Sequence, residues 1–98
     1  MERGKIVLIE LKVVRAGAKV ALSPHQISFA DRAARAGVPV YLLVQYWPKE
    51  VSRSADSRIY AYRAEQVVDV AKRGIEVQAW MEWPLGDTEG LQRFLKSV

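Results

Sequence analysis

KIVLIELK, residues 5–12, is the stretch that decides the fold. β-Branched and aliphatic residues dominate it, which predicts a buried β-strand from about residue 5 to residue 14. Side chains alternate along a strand, so Glu10 and Lys12 are expected to share one face. Removing an acid and a base from water costs free energy unless they are paired or used. The charged end of this strand is therefore a candidate functional site.

The chemistry open to this pair follows from its two residue types. A carboxylate such as Glu10 binds divalent metal ions through oxygen. A lysine beside it, Lys12, can position a water or neutralise charge that develops on a phosphate. The alternative is a strand end that emerges into solvent, where a Glu-x-Lys pair occurs by chance. Spacing alone leaves both interpretations open.

Composition limits the class of protein. A chain of 98 residues is expected to form one domain with a small core. There is no cysteine, which excludes disulfides, thiolate metal sites and cysteine nucleophiles. The net charge of +4 favours a polyanionic partner. We find no apolar run of membrane-spanning length and no signal-peptide pattern, so we expect a cytoplasmic protein without membrane contact.

A helix start follows the first strand. Ser23 is suited to cap, Pro24 to the first helical position and Gln26 to the third, as in a capping box. The apolar periodicity then predicts a helix to about residue 36, and Gly37 is suited to end it. Residues 38–46, VPVYLLVQY, form a second buried strand in this interpretation. Strand, helix and strand with short connections predict a parallel pair joined by a right-handed crossover.

The second half of the chain supplies further elements. We expect a short edge strand at residues 58–62, a helix at 63–73 ended by Gly74, and a strand at 75–81 with one solvated face. Asp87 is suited to cap a last helix, with Leu91, Phe94, Leu95 and Val98 facing inward. The fold class is therefore α/β, a minimal single domain with a mixed central sheet flanked by helices, in either three layers or an open two-layer arrangement.

Two aromatic features suggest contacts. Trp80 and Trp83 are expected to be exposed or half-exposed at the predicted edge strand at 75–81, and large aromatic residues on a solvated face favour an interface. We therefore expect a homodimer through this edge. The loop at residues 47–58 interleaves aromatic and basic residues such as Lys49 and Arg53. It is suited to hold a nucleic-acid strand by stacking, and an ordinary surface loop is the alternative.

The order of these motifs resembles the PD-(D/E)xK nuclease superfamily, which has the restriction-endonuclease-like fold. The resemblance covers residues 6–44: a strand ending in E-L-K, a basic turn, a helix opening S-P-H-Q and a G-V-P-V-Y-L-L-V strand. It is nearest to the small phage, Holliday-junction-resolvase and VRR-NUC-like members. What the resemblance implies is a nuclease that uses Mg²⁺ or Mn²⁺ to cut DNA phosphodiesters.

The resemblance also implies roles for particular residues. Glu10 would be a metal ligand, joined by the backbone carbonyl of Leu11. Lys12 would lie beside the attacking water. Gln26 would orient the strand-end residues or contact phosphate, while the capping box gives it a structural role that is compatible with this one.

A basic rim near the strand is suited to the DNA backbone, because phosphate contacts dominate nucleic-acid affinity. His25, the single histidine, lies in the first turn of the predicted helix, where the helix dipole disfavours its charged form. Solvated surface is the alternative for each rim residue. The candidate DNA-binding residues are Lys5, Arg15, Lys19 and His25.

One part of the family pattern is missing. The family has an acidic residue on a strand before E-x-K, and here Glu2 is the sole acid upstream of Glu10. Another acid, Glu2 or Asp31, could take its place, or a partner subunit could supply one. The third explanation is a degenerate site.

Three functions follow from these alternatives. The first is a metal-dependent DNA endo- or exonuclease selective for DNA structure, such as a junction, flap or end, rather than for sequence. The second is a catalytically inactive nuclease-fold protein that binds DNA or a protein partner. The third is a structural or regulatory α/β protein in which E-x-K is a coincidence.

Overall fold

A parallel strand pair forms one side of the sheet, as the sequence predicts. The computed structural model describes residues 7–15, 17–48 and 56–98, with side chains from residue 11 onward. Strand β1 pairs along its length with β2, from Val7 opposite Val40 to Arg15 opposite Trp47, and helix α1 connects the two. The elements are β1 (Val7–Arg15), α1 (Pro24–Ala36), β2 (Val40–Trp47), β3 (Arg58–Arg63), α2 (Val67–Arg73), β4 (Met81–Pro84) and α3 (Thr88–Ser97).

The sheet is mixed and has the strand order β1-β2-β3-β4. Strands β2 and β3 are antiparallel, as are β3 and β4. The strand predicted at residues 58–62 is confirmed as β3, but its predicted edge position is wrong, because β3 lies between two neighbours. Its side chains explain this position: Ile59 and Ala61 are buried on one face and Tyr62 on the other. The described structure is thus a small α/β domain with a four-stranded mixed sheet.

Helices cover both faces of the sheet. Ala30 of α1 and Val67 and Val70 of α2 share one buried cluster with Leu42 and Tyr62 of the sheet. On the other face, Phe94 of α3 is buried in a second cluster, with the sheet residues Tyr41, Ile59, Ala61 and Trp83. Alternation along β2 produces this division, since consecutive residues of a strand face opposite sides. None of the three helices in the described part combines the length and apolar character needed to cross a bilayer.

Helix α1 has the ends that the sequence predicts. The Ser23 hydroxyl accepts a hydrogen bond from the Gln26 backbone N–H at 3.2 Å, and Gln26 Oε1 accepts one from the Ser23 N–H at 2.8 Å. The capping box is therefore complete. Gly37 follows the helix with φ of 72°, a left-handed conformation that glycine adopts without a Cβ penalty.

The predicted strand at residues 75–81 is wrong. Residues Gly74–Glu76 form a 3₁₀ turn, and strand pairing begins only at Met81. Tertiary contacts override the period of two: the Ile75 N–H donates to the Ala18 carbonyl at 2.8 Å, and the Val77 carbonyl accepts from the Tyr62 hydroxyl at 3.0 Å. The apolar residues of this segment pack against the core from an irregular backbone. The predicted helix at 63–73 is similarly divided into a 3₁₀ turn at Ala64–Gln66 and α2.

Of the two tryptophans predicted to be exposed or half-exposed, Trp80 is half-exposed as predicted, whereas the prediction for Trp83 is wrong. Trp83 is buried with 3% exposure, and its ring lies 5.4 Å from that of Phe94. Trp80 is half-buried and stacks on Tyr41, with ring centroids 5.3 Å apart. Helix α3 covers these rings because Gly90 allows its backbone to approach Trp83: a Cβ at Gly90 would lie 2.4 Å from the Trp83 Cβ. The homodimer stays a prediction, without the surface on which it rested.

Helix α3 begins at the predicted cap, with Asp87 Oδ1 accepting from the Glu89 N–H at 3.1 Å. Its inward face is narrower than predicted. Phe94 is buried, whereas Leu91 is 44% and Leu95 51% exposed. The helix packs on β4 and β3 and leaves the outer residues of β1 on this face uncovered, so Leu11 is 56% exposed.

Tyr62 gives the fold a test at alkaline pH. Burial raises the pKa of Tyr62 from 10.0 to about 12, with smaller contributions from Tyr60 and Glu82. The unfolded chain then binds fewer protons than the folded chain between these values, so the free energy of unfolding falls as pH rises from 10 toward 12. Urea unfolding is expected to give a steeper decline for the wild type than for Tyr62→Phe. Equal slopes would contradict the assignment.

Candidate functional site

An open cleft of about 680 Å³ lies beside the end of β1. Three residues singled out in the sequence line it: Lys12 from β1, Lys19 from the following segment and Gln26 from the first turn of α1. Lys12 is half-buried and Lys19 is exposed. The structure therefore brings together two cations and an amide that are up to 14 residues apart in the chain.

The topology explains why these residues meet. Because β1 and β2 are parallel, α1 must begin near the carboxyl end of β1 to return the chain to the start of β2. The carboxyl ends of parallel strands are where open α/β sheets commonly bind ligands. Residues at the end of β1 and at the start of α1 consequently lie at one edge of the sheet.

Strand β1 presents different chemistry on its two faces. Lys12 lines the cleft, whereas Leu11 lies with Leu43, Trp83 and Leu91 around an apolar groove on the α3 side. The backbone of Glu10 pairs with Leu42 after an irregularity in register between residues 8 and 10. A bulge of this kind changes the local direction of a strand and is frequent beside functional sites. The Glu10 side chain lies outside the described part of the structure.

Gln26 belongs both to the cap of α1 and to the lining of the cleft. Its Oε1 atom is used by the Ser23 N–H in the capping box. Its Nε2 group makes no hydrogen bond within the described part of the chain, and the residue lines the cleft. The capping role and a ligand-binding role are therefore compatible, because they use different atoms of one amide.

The position of Lys19 depends on a contact that the sequence did not reveal. Its neighbour Ala18 accepts the hydrogen bond from Ile75, and Val20 is buried with 2% exposure. Gly74 permits this contact, since a Cβ there would lie 1.8 Å from the Ala18 oxygen. In the sequence, Gly74 indicated only a helix end. The close approach of Ala18 gives Gly74 a second role, which is to leave room for the segment that carries Lys19.

Two of the other predicted DNA-binding residues, Arg15 and His25, do not line the cleft. The Arg15 guanidinium lies over the Trp47 ring at 4.3 Å from its centroid, and alternation places Arg15 on the face opposite Lys12. His25 is exposed in the first turn of α1. Lys5 lies outside the described residues, as do residues 49–55 of the loop predicted to hold a strand, including Lys49 and Arg53.

Of the two candidates for the missing acid, only Asp31 lies within the described residues. Asp31 lies one turn before Arg35 on α1, with 3.2 Å between carboxylate and guanidinium, and it does not line the cleft. Glu2 lies outside the described residues. Among the residues that the structure describes, no three histidine, aspartate or glutamate side chains come together as a metal site would require.

Gln26→Glu separates capping from ligand binding. Glutamate also completes a capping box, so the free energy of unfolding is expected to stay within about 0.5 kcal/mol of the wild-type value. The Nε2 donor is lost and a negative charge enters the cleft, so affinity for an oligonucleotide is expected to fall about tenfold. Thermal unfolding and fluorescence anisotropy measure the two effects. Unchanged affinity would restrict Gln26 to capping.

Comparison with known proteins gives no further assignment. No protein-family model, curated protein or solved structure matches the chain. The mixed sheet, the parallel pair and the cleft therefore stand on the structure itself, and the restriction-endonuclease-like assignment stays a prediction.

Proposed function

We propose that the chain is a metal-dependent nuclease that hydrolyses DNA phosphodiesters at the cleft around Lys12. The observation that carries this proposal is the convergence of Lys12, Lys19 and Gln26 on one cleft. The donors suit a phosphodiester, whose oxygens accept hydrogen bonds and carry negative charge. The resemblance of residues 6–44 to PD-(D/E)xK nucleases supports the same chemistry.

Lys12, Lys19 and Gln26 differ in exposure or in side-chain chemistry, which suggests a different role for each of them. Lys19 is exposed at the rim of the cleft and would bind a phosphate on entry, where the contact supplies affinity without reading sequence. Gln26 would donate from Nε2 to a phosphate oxygen. Lys12 is half-buried, so its charge acts in a region of reduced dielectric. It would stabilise the negative charge that develops on the phosphate during attack by water.

The proposed metal ion would be held by few protein ligands. These are the Glu10 carboxylate and the Leu11 carbonyl, two oxygen donors of the kind that Mg²⁺ and Mn²⁺ prefer. Because Mg²⁺ in phosphoryl-transfer sites is often held by one or two carboxylates together with waters and substrate phosphate, this small set is chemically adequate. When bound, the ion would supply an activated water and neutralise charge on the phosphate.

The preferred DNA is expected to be selected by structure. Phosphate contacts carry no sequence information directly, and the donors that line the cleft are suited to phosphates. Junctions, flaps and ends are distinguished by shape and by exposed strands. We place this activity on DNA in the cytoplasm, without a membrane partner.

A panel of labelled substrates tests the proposal. Single-stranded, duplex, flap and four-way-junction DNA would be incubated with the purified chain in Mg²⁺, in Mn²⁺ and in EDTA. We expect metal-dependent cutting of at least one branched or single-stranded form and none in EDTA. Failure to cut any of the four in either metal would overturn the proposal.

A second function is favoured by one observation, the lack of a three-residue acidic or histidine group among the described residues. In this alternative the same cleft binds DNA phosphates, and the protein does not cut. Calorimetry with Mn²⁺ separates the two functions. Measurable heat that disappears in Glu10→Gln supports the nuclease, whereas the lack of heat at millimolar Mn²⁺, with DNA still bound, supports the binding protein.

A further inference from the structure

A pair of tyrosines lies on the same face of the sheet as Lys12. In the strand register Lys12 is opposite Val44, which is opposite Tyr60, and Val14 is opposite Tyr46. Paired residues of neighbouring strands point to the same side of a sheet. Strand spacings place the Cα atoms of both tyrosines within about 10 Å of the Lys12 Cα.

The two rings form a small continuous surface, the tyrosine platform (Tyr46 and Tyr60). Their centroids are 6.2 Å apart and their planes differ by 31°. Both rings pack against the core cluster and stay half-exposed. The other two tyrosines differ: Tyr62 is fully buried and donates to the Val77 carbonyl, and Tyr41 is buried between Trp80 and Phe94.

The charges around the platform do not repel DNA. Arg58 is opposite Tyr46 and pairs with Glu82 at 3.4 Å, so the acid beside Tyr60 is balanced by a cation. Burial and, next, the Glu82 charge raise the pKa of Tyr60 above 10.0, so its hydroxyl is neutral at physiological pH. A neutral aromatic surface supported by the core is suited to stack on a base.

We propose that the tyrosine platform stacks unpaired bases of a DNA strand whose phosphates occupy the Lys12 cleft. This inference rests on the proposed function, because the cleft fixes where the strand runs. In a duplex each base already stacks on its neighbours, so only single-stranded or splayed bases offer a free face. The substrate class is therefore single-stranded DNA, or the unpaired segment of a flap or junction.

Binding to matched oligonucleotides tests the platform without relying on cleavage. The probes are fluorescein-labelled dT15, an abasic 15-mer with the same phosphates, and a 15-bp duplex, all in EDTA. Stacking contributes about 5- to 100-fold in affinity per base. We expect the wild type to bind dT15 about tenfold more tightly than the abasic strand. The ratio is expected to fall below about 2 in Tyr60→Leu and Tyr46→Leu, and to persist in Tyr60→Phe, which keeps the aromatic face.

A second measurement covers the case in which a leucine variant does not fold. The wild type would be photocrosslinked to dT15 containing 5-iododeoxyuridine, and the modified peptide would be identified by mass spectrometry. We expect modification at Tyr46 or Tyr60. Modification confined to other aromatic residues would overturn the platform.

The outcomes distinguish the platform from the proposed nuclease. An unchanged dT15-to-abasic ratio in the leucine variants, with binding weakened by Lys19→Ala, overturns the platform and leaves the cleft in place. If the dT15-to-abasic affinity ratio falls in the leucine variants but the wild type never cuts DNA, the platform is supported and hydrolysis is overturned. A wild type that binds none of the three probes overturns the platform, and the cleavage panel in Mg²⁺ and Mn²⁺ then decides the nuclease separately.

Discussion

Lys12→Ala is expected to lower the rate of metal-dependent DNA cleavage by about 10²- to 10³-fold, the effect of removing one preorganised group that stabilises developing charge. Lys12 is half-buried in the cleft, and an alanine would leave the phosphate without that cation. DNA affinity is expected to change much less, because Lys19 and Gln26 still contact phosphate in this proposal. Single-turnover rates at saturating protein separate the chemical step from binding.

Two substitutions serve as controls for this loss. Lys12→Arg keeps the charge but replaces a compact ammonium by a larger planar group, so a partial rate is expected. Lys96→Ala removes an exposed lysine of α3, on the far side of the sheet from the cleft, and is expected to cut at the wild-type rate. A Lys12→Ala protein that cuts as fast as Lys96→Ala would contradict the role given to Lys12.

Gly74→Ala is expected to lower the free energy of unfolding by about 3 kcal/mol or more. Gly74 has φ of 64° and ψ of −144°, a conformation that residues with a Cβ rarely adopt. The added methyl would also meet the Ala18 carbonyl oxygen at 1.8 Å. Because small domains are stable by only about 5–15 kcal/mol, this change removes a large share of the total. Urea unfolding measures the loss.

Gly37→Ala is the matched control for Gly74→Ala. Gly37 also has positive φ, at 72°, but a Cβ there would meet nothing within 4 Å. It should therefore show only the backbone cost of about 1–2 kcal/mol. The folded fraction of Gly74→Ala should also bind DNA more weakly, because the contact that places Lys19 is displaced. Equal stabilities of the two variants would contradict the account of the Gly74 contact.

Local signals in the sequence predicted the first half of the fold well. The capping box of Ser23 and Gln26 and the left-handed Gly37 are formed by residues close together in the chain, so the pattern alone specifies them. The parallel pair of β1 and β2 followed from the short connections around α1. These features need no knowledge of distant contacts.

The structure of the second half of the chain depends on contacts between residues that are distant in the sequence, and no local pattern contains these contacts. The alternation at residues 75–81 is typical of a strand, but a hydrogen bond from Ile75 to Ala18 and burial of Val77 hold the segment as turn and irregular backbone. Trp83 is buried beneath α3, and Gly90 leaves room for this approach. At residues 75–80 tertiary packing overrode the two-residue period. Trp83 keeps that period within β4, with Glu82 exposed beside it, and the prediction missed the helix that covers it.

The candidate site was predictable in part. Lys12, Lys19 and Gln26 were selected from the sequence, and the topology places them on one cleft. The tyrosine platform was missed because Tyr46 and Tyr60 lie on different strands, and only the register shows that they are neighbours. The contribution of Gly74 was missed for the same reason. Gly74 and its partner Ala18 are far apart in the sequence, separated by α1, β2, β3 and α2.

The most direct test of the proposed nuclease compares the wild-type chain with Glu10→Gln, purified in parallel by the same procedure. The measurement is the rate at which labelled product is released from the best DNA substrate in Mg²⁺. We predict steady cutting by the wild type and a rate at least about 10²-fold lower for Glu10→Gln, because the amide lacks the charge that a divalent ion requires. Equal rates for the two proteins, or no cutting by either, would contradict it.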